Sequence, residues 1–263
     1  MKYLIIGGVA GGATTAARLR RLDEKSEIIV FERGEYISYA NCGLPYYIGG
    51  IIKDRDQLFV QTPESFGQRF NLEVRNLSEV LSIDRRKKEV LVKDIRNGSE
   101  YRESYDKLIL SPGAEPIKPM LPGINQEGIF TLRNVPDTDK IKQYIEQKQA
   151  RHALVVGAGF IGLEMAENLH HAGLKVTIVE MAEQVMTPLD YSMAALVHQH
   201  LKTKDVEFYL KTAVVSFSTK GEKILAKLDT TKLIETDMVV LSIGVRPDSK
   251  LAKDCGLELG QTG

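Results

Sequence analysis

Cysteine is scarce in this chain: only two of its 263 residues, Cys42 and Cys255. They lie too far apart to suggest a local disulfide or a metal knuckle, and neither has a CxxC partner, which argues against an internal dithiol relay. Charge of one sign is lacking as well. Lys+Arg and Asp+Glu are both 35, so there is no general pull toward nucleic acid or an anionic membrane, although local basic patches for an anionic ligand remain open. No apolar run approaches the roughly 20 residues of a membrane span. The opening MKYLIIG runs straight into a strand and a glycine turn, with no secretory segment visible. The histidines, His152, His170, His171, His198 and His200, form no zinc array, and no metal site is expected. His198 and His200 are expected to face solvent on a helix. Serine hydrolase chemistry lacks its GxSxG elbow. The apolar fraction of 43% supports sizeable cores, and the length suffices for two compact domains. The default setting is soluble, reducing and cytoplasmic, where a thiol can stay reduced and work catalytically.

Two glycine signatures stand out. In the second, residues 155–162 read VVGAGFIG, and Gly157, Gly159 and Gly162 match GxGxxG. The first glycine permits the tight turn, the second close approach by pyrophosphate, and the third close helix–strand packing. The helix amino end supplies free N–H groups. Glu180 closes the following strand, where a carboxylate can accept from an adenosine ribose and repel a 2′-phosphate; NADH is therefore favoured over NADPH. In the first signature, residues 5–12 read IIGGVAGG. Gly7 and Gly12 match, Val9 takes the middle glycine position, and Gly8 and Gly11 keep the backbone permissive. Glu32 lies at the ribose distance.

The surrounding pattern predicts strand 2–6, helix 12–22 and strand 27–32, echoed by strand 153–157, helix 161–172 and strand 175–180. This is a duplication of architecture with little literal identity. Between the repeats, runs at 80–83 and 90–92 read as strands of a hairpin whose tip, DRRKK, is solvated. Proline and glycine dominate 112–123 and punctuate a boundary. Further elements are expected at 63–71 and 137–147 (helical), 190–202 (helix), 206–229 (extended, turning at Lys220 and Gly221) and 237–243 (buried strand).

Cys42 sits in SYANCGLP among Ser, Asn, Gly and Pro, not in an apolar periodic run. Backbone N–H groups there favour a thiolate, which attacks a disulfide sulfur to form a mixed disulfide. An inert packing role is the plainer alternative. Cys255, in AKDCGL, reads as structural or incidental. Without a second cysteine, the oxidised partner of Cys42 is a small-molecule thiol, a sulfenate oxygen or a persulfide sulfur. Tyr46 and Tyr47 could wall a flavin or substrate, or equally pack in the core.

Five segments carry a resemblance: GGVAGGAT at 7–14, SYANCGLPY at 38–46, YDKLILSPGA at 105–114, TLRN at 131–134 and GAGFIGLE at 157–164. In these the chain resembles the pyridine nucleotide–disulfide oxidoreductase superfamily, and within it the single-cysteine coenzyme A-disulfide reductases. The resemblance implies an α/β fold with two Rossmann-like nucleotide-binding domains of the glutathione-reductase type. It places an FAD-binding domain at 1–115, an NAD(P)H-binding domain at 116–245, and a return segment at 246–263. It implies Cys42 as redox centre, with Ser38 and Asn41 flanking the sulfur. Thr14, Arg18 and Arg21 would reach coenzyme A, whose phosphates suit arginine forks; without the resemblance they are surface helix residues. For FAD it implies Gly7, Gly8, Ala10, Gly11, Gly12, Glu32, Arg33, Val80, Ser111, Pro112 and Gly113. For NADH or NADPH it implies Gly157, Gly159, Phe160, Ile161, Gly162, Glu180 and Gly244, with Glu164 nearing the flavin–nicotinamide junction. Ala10 stands where related peroxidases and water-forming NADH oxidases carry a histidine, which weakens those activities. Reduction of coenzyme A persulfide or polysulfide, in relatives sometimes fused to a rhodanese domain, stays open. A nonenzymatic redox sensor is the reading from a different class. The resemblance further implies that the C-terminal dimerisation domain of a homodimer is absent from this chain, and that its FAD half is incomplete, with weak FAD retention expected.

Overall fold

The structure is a computed structural model and describes residues 1–262. In chain order, β1 (Lys2–Ile6), α1 (Ala10–Leu22) and β2 (Glu27–Glu32) precede α2 (Gly43–Ile48) and α3 (Pro63–Phe70). Then come β3 (Glu73–Asn76), β4 (Ser78–Asp84), β5 (Glu89–Asp94), β6 (Glu100–Ser104), β7 (Lys107–Leu110) and β8 (Ala114–Pro116). β9 (Ile129–Phe130), α4 (Val135–Gln147), β10 (His152–Val156), α5 (Phe160–His171) and β11 (Lys175–Val179) follow. The remainder is α6 (Tyr191–Thr203), β12 (Glu207–Tyr209), β13 (Val214–Lys220), β14 (Lys223–Leu228), β15 (Leu233–Thr236), β16 (Met238–Leu241), β17 (Val245–Pro247) and α7 (Lys250–Asp254).

The chain divides into two compact units. One comprises Met1–Ala40, Asp56–Glu115 and the segment from Arg246 onward; the other comprises Asn41–Arg55 and Pro116–Val245. The sequence placed all of 1–115 in one domain. The structure instead groups Asn41–Arg55 with the second unit, because α2 packs on α4 and α5.

In the first unit a parallel sheet has the order β3-β2-β1-β7. Parallel strands are covered on both faces and so read as continuous apolar runs. Alternation along each strand then splits the core. Ile5, Ile28 and Val30 pack with Ala13, Ala16 and Ala17 of α1 and with Phe66 of α3. Leu4, Ile6, Ile29 and Phe31 pack on the opposite face with Val80, Val90 and Val92 of the antiparallel sheet β4-β5-β6. The three alanines let α1 lie close against the sheet. Each fully buried Leu, Ile or Phe contributes about 1.5–3 kcal/mol.

The second unit repeats this plan. Its parallel sheet runs β12-β11-β10-β16-β9, and its antiparallel sheet is β13-β14-β15. Leu154, Val239 and Leu241 pack against Phe217, Ile224, Ala226 and Leu228. The internal repeat read from the sequence therefore extends to the antiparallel sheet, where the sequence showed only extended runs.

Candidate functional site

The first glycine loop joins β1 to α1. Gly7 has φ +100°, and a Cβ there would lie 2.0 Å from the Ser111 carbonyl oxygen, so no larger residue fits. Its N–H donates to the Phe31 carbonyl at 2.8 Å. Glu32, at the end of β2, clips this loop: Oε2 accepts from the Gly8 N–H at 2.8 Å, and Oε1 from the Gly34 N–H at 2.7 Å. No side chain caps α1, whose N-cap is Val9. The first-turn N–H groups of Ala10, Gly11 and Gly12 therefore meet no side-chain acceptor, and Ala10 and Gly11 are exposed. Ser111 joins the loop by donating its N–H to Ile6 at 2.7 Å, and Gly113 accepts from the Asp248 N–H at 2.9 Å. Pro112 lies between them, partly buried. Arg33 is exposed and ion-paired with Glu115 and Asp248. The Val80 side chain is buried in the core.

The second loop, between β10 and α5, has the same construction. Gly157 has φ +101°, with its would-be Cβ 2.4 Å from the Ser242 carbonyl oxygen. Glu180 clips it: Oε2 accepts from Ala158 at 2.6 Å and Oε1 from Ala182 at 2.8 Å. Gly159 is the N-cap of α5 and offers no side-chain cap, and nothing stands within 4 Å of where its Cβ would be. Phe160 and Ile161 are exposed in the first turn, Gly162 is buried, and Glu164 is half-buried. Gly244 is exposed in the left-handed region, with φ +114°.

Both loops thus fit a phosphate-bearing dinucleotide. Each presents uncapped helix N–H groups behind a tight glycine turn, with an acid at the end of the next strand. The sequence did not single out Ser242, whose Oγ is buried with no hydrogen-bond partner beside the second loop. A signal existed: Ser242-Ile243-Gly244 after β16 repeats Ser111-Pro112-Gly113 after β7.

Cys42 is a free, exposed thiol immediately before α2. Asn41 is exposed beside it and accepts through its carbonyl from the Leu44 N–H at 3.3 Å. Ser38 belongs to the first unit and takes φ +45°, a conformation a serine adopts only where its surroundings demand it. Its N–H donates to the Gly8 carbonyl at 3.0 Å, and its own carbonyl accepts from Val60 at 2.9 Å. Ser38 is in this way tied to the first glycine loop. Thr14, Arg18 and Arg21 form an exposed stripe on α1. Sequence reasoning passed over Arg20 between them. Its guanidinium donates to the carbonyls of Phe70, Asp23, Glu24, Ser26 and Asn71.

His198 corrects the expectation of a solvent-facing pair. It is half-buried, its Nε2 accepts from the Val185 N–H at 3.1 Å, and its ring stacks on Phe208 at 5.4 Å; His200 is exposed. No helix among the described residues is long and apolar enough to cross a membrane.

The pattern of the pyridine nucleotide-disulphide oxidoreductases matches residues 1–263. The coenzyme A disulfide reductase of Staphylococcus haemolyticus is 38% identical over 262 residues, covering 100% of this chain and 58% of its own length. Reduced Bacillus anthracis CoADR-RHD superposes with a TM-score of 0.97 at 56% identity, over 100% of this chain and 47% of that one. An NAD-dependent persulfide reductase from A. fulgidus does so with a TM-score of 0.95 at 39% identity, over 100% of this chain and 49% of that one. The chain spans about half the length of these relatives.

Proposed function

The chain belongs to the pyridine nucleotide-disulphide oxidoreductase family, and from that premise we propose that it is the nucleotide-binding part of a flavin-dependent NADH:coenzyme A-disulfide reductase working through Cys42. The observation that carries this is one exposed free thiol in a chain with two separately built, acid-clipped glycine loops. The coenzyme A disulfide reductase relative at 38% identity supports the substrate.

In this reading the first loop holds FAD and the second holds NADH. Bound FAD supplies a two-electron relay between nicotinamide and sulfur. The chain's own residues do the rest. Uncapped N–H groups of α1 and α5 meet the pyrophosphates, and Glu32 and Glu180 meet the riboses. Thr14, Arg18 and Arg21 give coenzyme A an exposed polar and cationic stripe. The Cys42 thiolate attacks one sulfur of coenzyme A disulfide. A Cys42–coenzyme A disulfide forms, and one coenzyme A thiolate leaves and takes a proton. The two electrons from NADH then cleave that bond, releasing the second coenzyme A thiol and restoring the Cys42 thiolate. The sum is one NADH and one proton consumed and two coenzyme A thiols formed per disulfide.

Persulfide reduction is the second reading, favoured by the A. fulgidus likeness. Anaerobic NADH consumption by the FAD-loaded enzyme, with coenzyme A disulfide against coenzyme A persulfide, separates the two. Preference for the disulfide, abolished in Cys42→Ser, is the expected result. Preference for the persulfide with sulfide release moves the enzyme to the second reading. Activity with neither overturns both.

A further inference from the structure

The acid that follows β11 is laced by backbone bonds to the turn that follows β12. Glu180 donates its N–H to the Tyr209 carbonyl at 2.8 Å, and its own carbonyl accepts from the Thr212 N–H at 3.0 Å. The Ala182 carbonyl accepts from the Lys211 N–H at 2.8 Å. β11 and β12 run parallel up to Val179 and Tyr209, so these bonds carry the pairing on past the strand ends. All of these residues belong to the second unit. Lys211 is thereby fixed by its backbone beside the carboxylate that holds the Ala158 and Ala182 N–H groups.

The Lys211 side chain is not packed. It is 71% exposed, and its ammonium stands 3.3 Å from Oε2 of Glu183, a side chain 73% exposed. The residue takes φ +51°, a left-handed conformation that glycine or asparagine holds at less cost. Neither packing nor backbone geometry therefore calls for a lysine here. Exposed ion pairs contribute little, and the lysine stem is flexible, so the ammonium is tethered at Glu183 without being sequestered. In the proposed function the adenosine ribose lies at Glu180. That carboxylate accepts from a 2′-hydroxyl but repels a 2′-phosphate. Lys211 is the cation that the lacing sets beside it.

We infer that Lys211 is a specificity residue of the nicotinamide nucleotide site: its ammonium exchanges the Glu183 carboxylate for a 2′-phosphate, so that the second loop takes NADPH as well as NADH. The inference rests on the proposed function for the nucleotide at that loop. Glu180 still favours NADH, and Lys211 limits by how much. Glu183 competes with the phosphate for the ammonium, so substitutions at Lys211 and at Glu183 act in opposite directions.

The test is titration calorimetry on the FAD-loaded, full-length enzyme. The probes are adenosine 5′-phosphate and adenosine 2′,5′-bisphosphate, which differ only in the 2′-phosphate, each with oxidised NAD as competitor. Lys211→Met is expected to weaken the bisphosphate about tenfold and the monophosphate less than about twofold. Lys211→Arg is expected to keep the parent ratio. Glu183→Gln is expected to tighten the bisphosphate about threefold, since the ammonium has no carboxylate to leave. In Lys211→Met/Glu183→Gln that gain is expected to vanish, because it acts through the ammonium. An unchanged ratio in Lys211→Met, equal weakening of both probes, or a full Glu183→Gln gain in the double variant overturns the inference. If NAD displaces neither probe, the proposed function has misplaced the nucleotide. If NAD displaces both and Lys211→Met leaves their ratio unchanged, only the Lys211 assignment falls.

Discussion

The Glu180 carboxylate accepts a hydrogen bond from the backbone N–H of Ala158 at 2.6 Å. Its other oxygen takes the Ala182 N–H at 2.8 Å. The acid proposed to meet the ribose is thus also the clip that fixes the glycine loop. Charge-assisted bonds of this kind are about twice as strong as neutral ones. Glu180→Gln is expected to raise the KM for NADH about tenfold, on the order of 1.4 kcal/mol, and to narrow the preference for NADH over NADPH. An unchanged ratio of kcat/KM between the two nucleotides would refute the ribose role.

Gly157 and Gly159 separate folding from binding. At Gly157 the backbone is left-handed and a Cβ would meet the Ser242 carbonyl at 2.4 Å. Gly157→Ala is expected to destabilise the second unit by about 2–4 kcal/mol and to lower Tm. At Gly159 a Cβ meets nothing within 4 Å. Gly159→Ala is expected to leave Tm within a degree or two and weaken NADH binding, because in the proposed function that open space is where pyrophosphate approaches. Thermal melts with nucleotide titrations check both, and equal effects in the two variants would count against the assignment.

Cys42 and Cys255 are both free thiols, but they are expected to behave differently. Cys42→Ser leaves NADH-driven reduction of bound flavin intact and abolishes disulfide turnover. Cys255→Ser changes neither. Stopped-flow absorbance and coenzyme A thiol release read the two steps separately.

Arg20 and its neighbours on α1 divide structure from recognition. Arg20 ties α1 to carbonyls of the loops after it and after α3. Hydrogen bonds from a charged group are worth about 1.5–3 kcal/mol, so Arg20→Ala is expected to cost at least that much stability. Arg18→Ala and Arg21→Ala, at exposed sites, are expected to leave stability unchanged and to raise the KM for coenzyme A disulfide. Denaturant melts and steady-state kinetics decide, and a fall in stability for all three variants would remove the distinction.

Burial, reinforced by Lys202, pushes the His198 imidazole below its ordinary value. Its Nε2 accepts a backbone N–H, which requires the neutral ring. On acidification the unfolded chain binds the proton first, near pH 6.5. The contribution of His198 is therefore full above that pH and is lost as pH falls toward the depressed folded value. His198→Gln is expected to melt a few degrees below the parent at pH 7.5, roughly the worth of one hydrogen bond. The gap is expected to narrow as pH falls below about 6.5; a constant gap would show that the ring does not titrate in this role.

Local pattern was enough for the repeated units. Short apolar strands such as LII and ALVV, glycines at the turns and an acid after each second strand define a strand–turn–helix–strand unit, because each depends on neighbours within about 30 residues. The same locality made Cys42 visible, as a thiol in a polar, glycine-flanked setting. What escaped depends on partners distant in the chain. Arg20 drew no notice in the sequence, because Phe70 and Asn71 come beside it only in the fold. His198 looked solvent-facing until Val185 and Phe208 closed on it.

The sequence by itself determined that there are two nucleotide loops, their acids and a single candidate redox thiol, because backbone sterics at glycine and strand–helix periodicity are local properties. Only the tertiary structure decided that the short helix after the thiol, α2, packs on α4 and α5. Arg55 with Asp139, Tyr47 with Lys142, and Gly49 with Asn168 are separated by 84, 95 and more than a hundred residues along the chain. No local signal encodes which distant surface a short helix packs against; close packing settles that only once both surfaces exist.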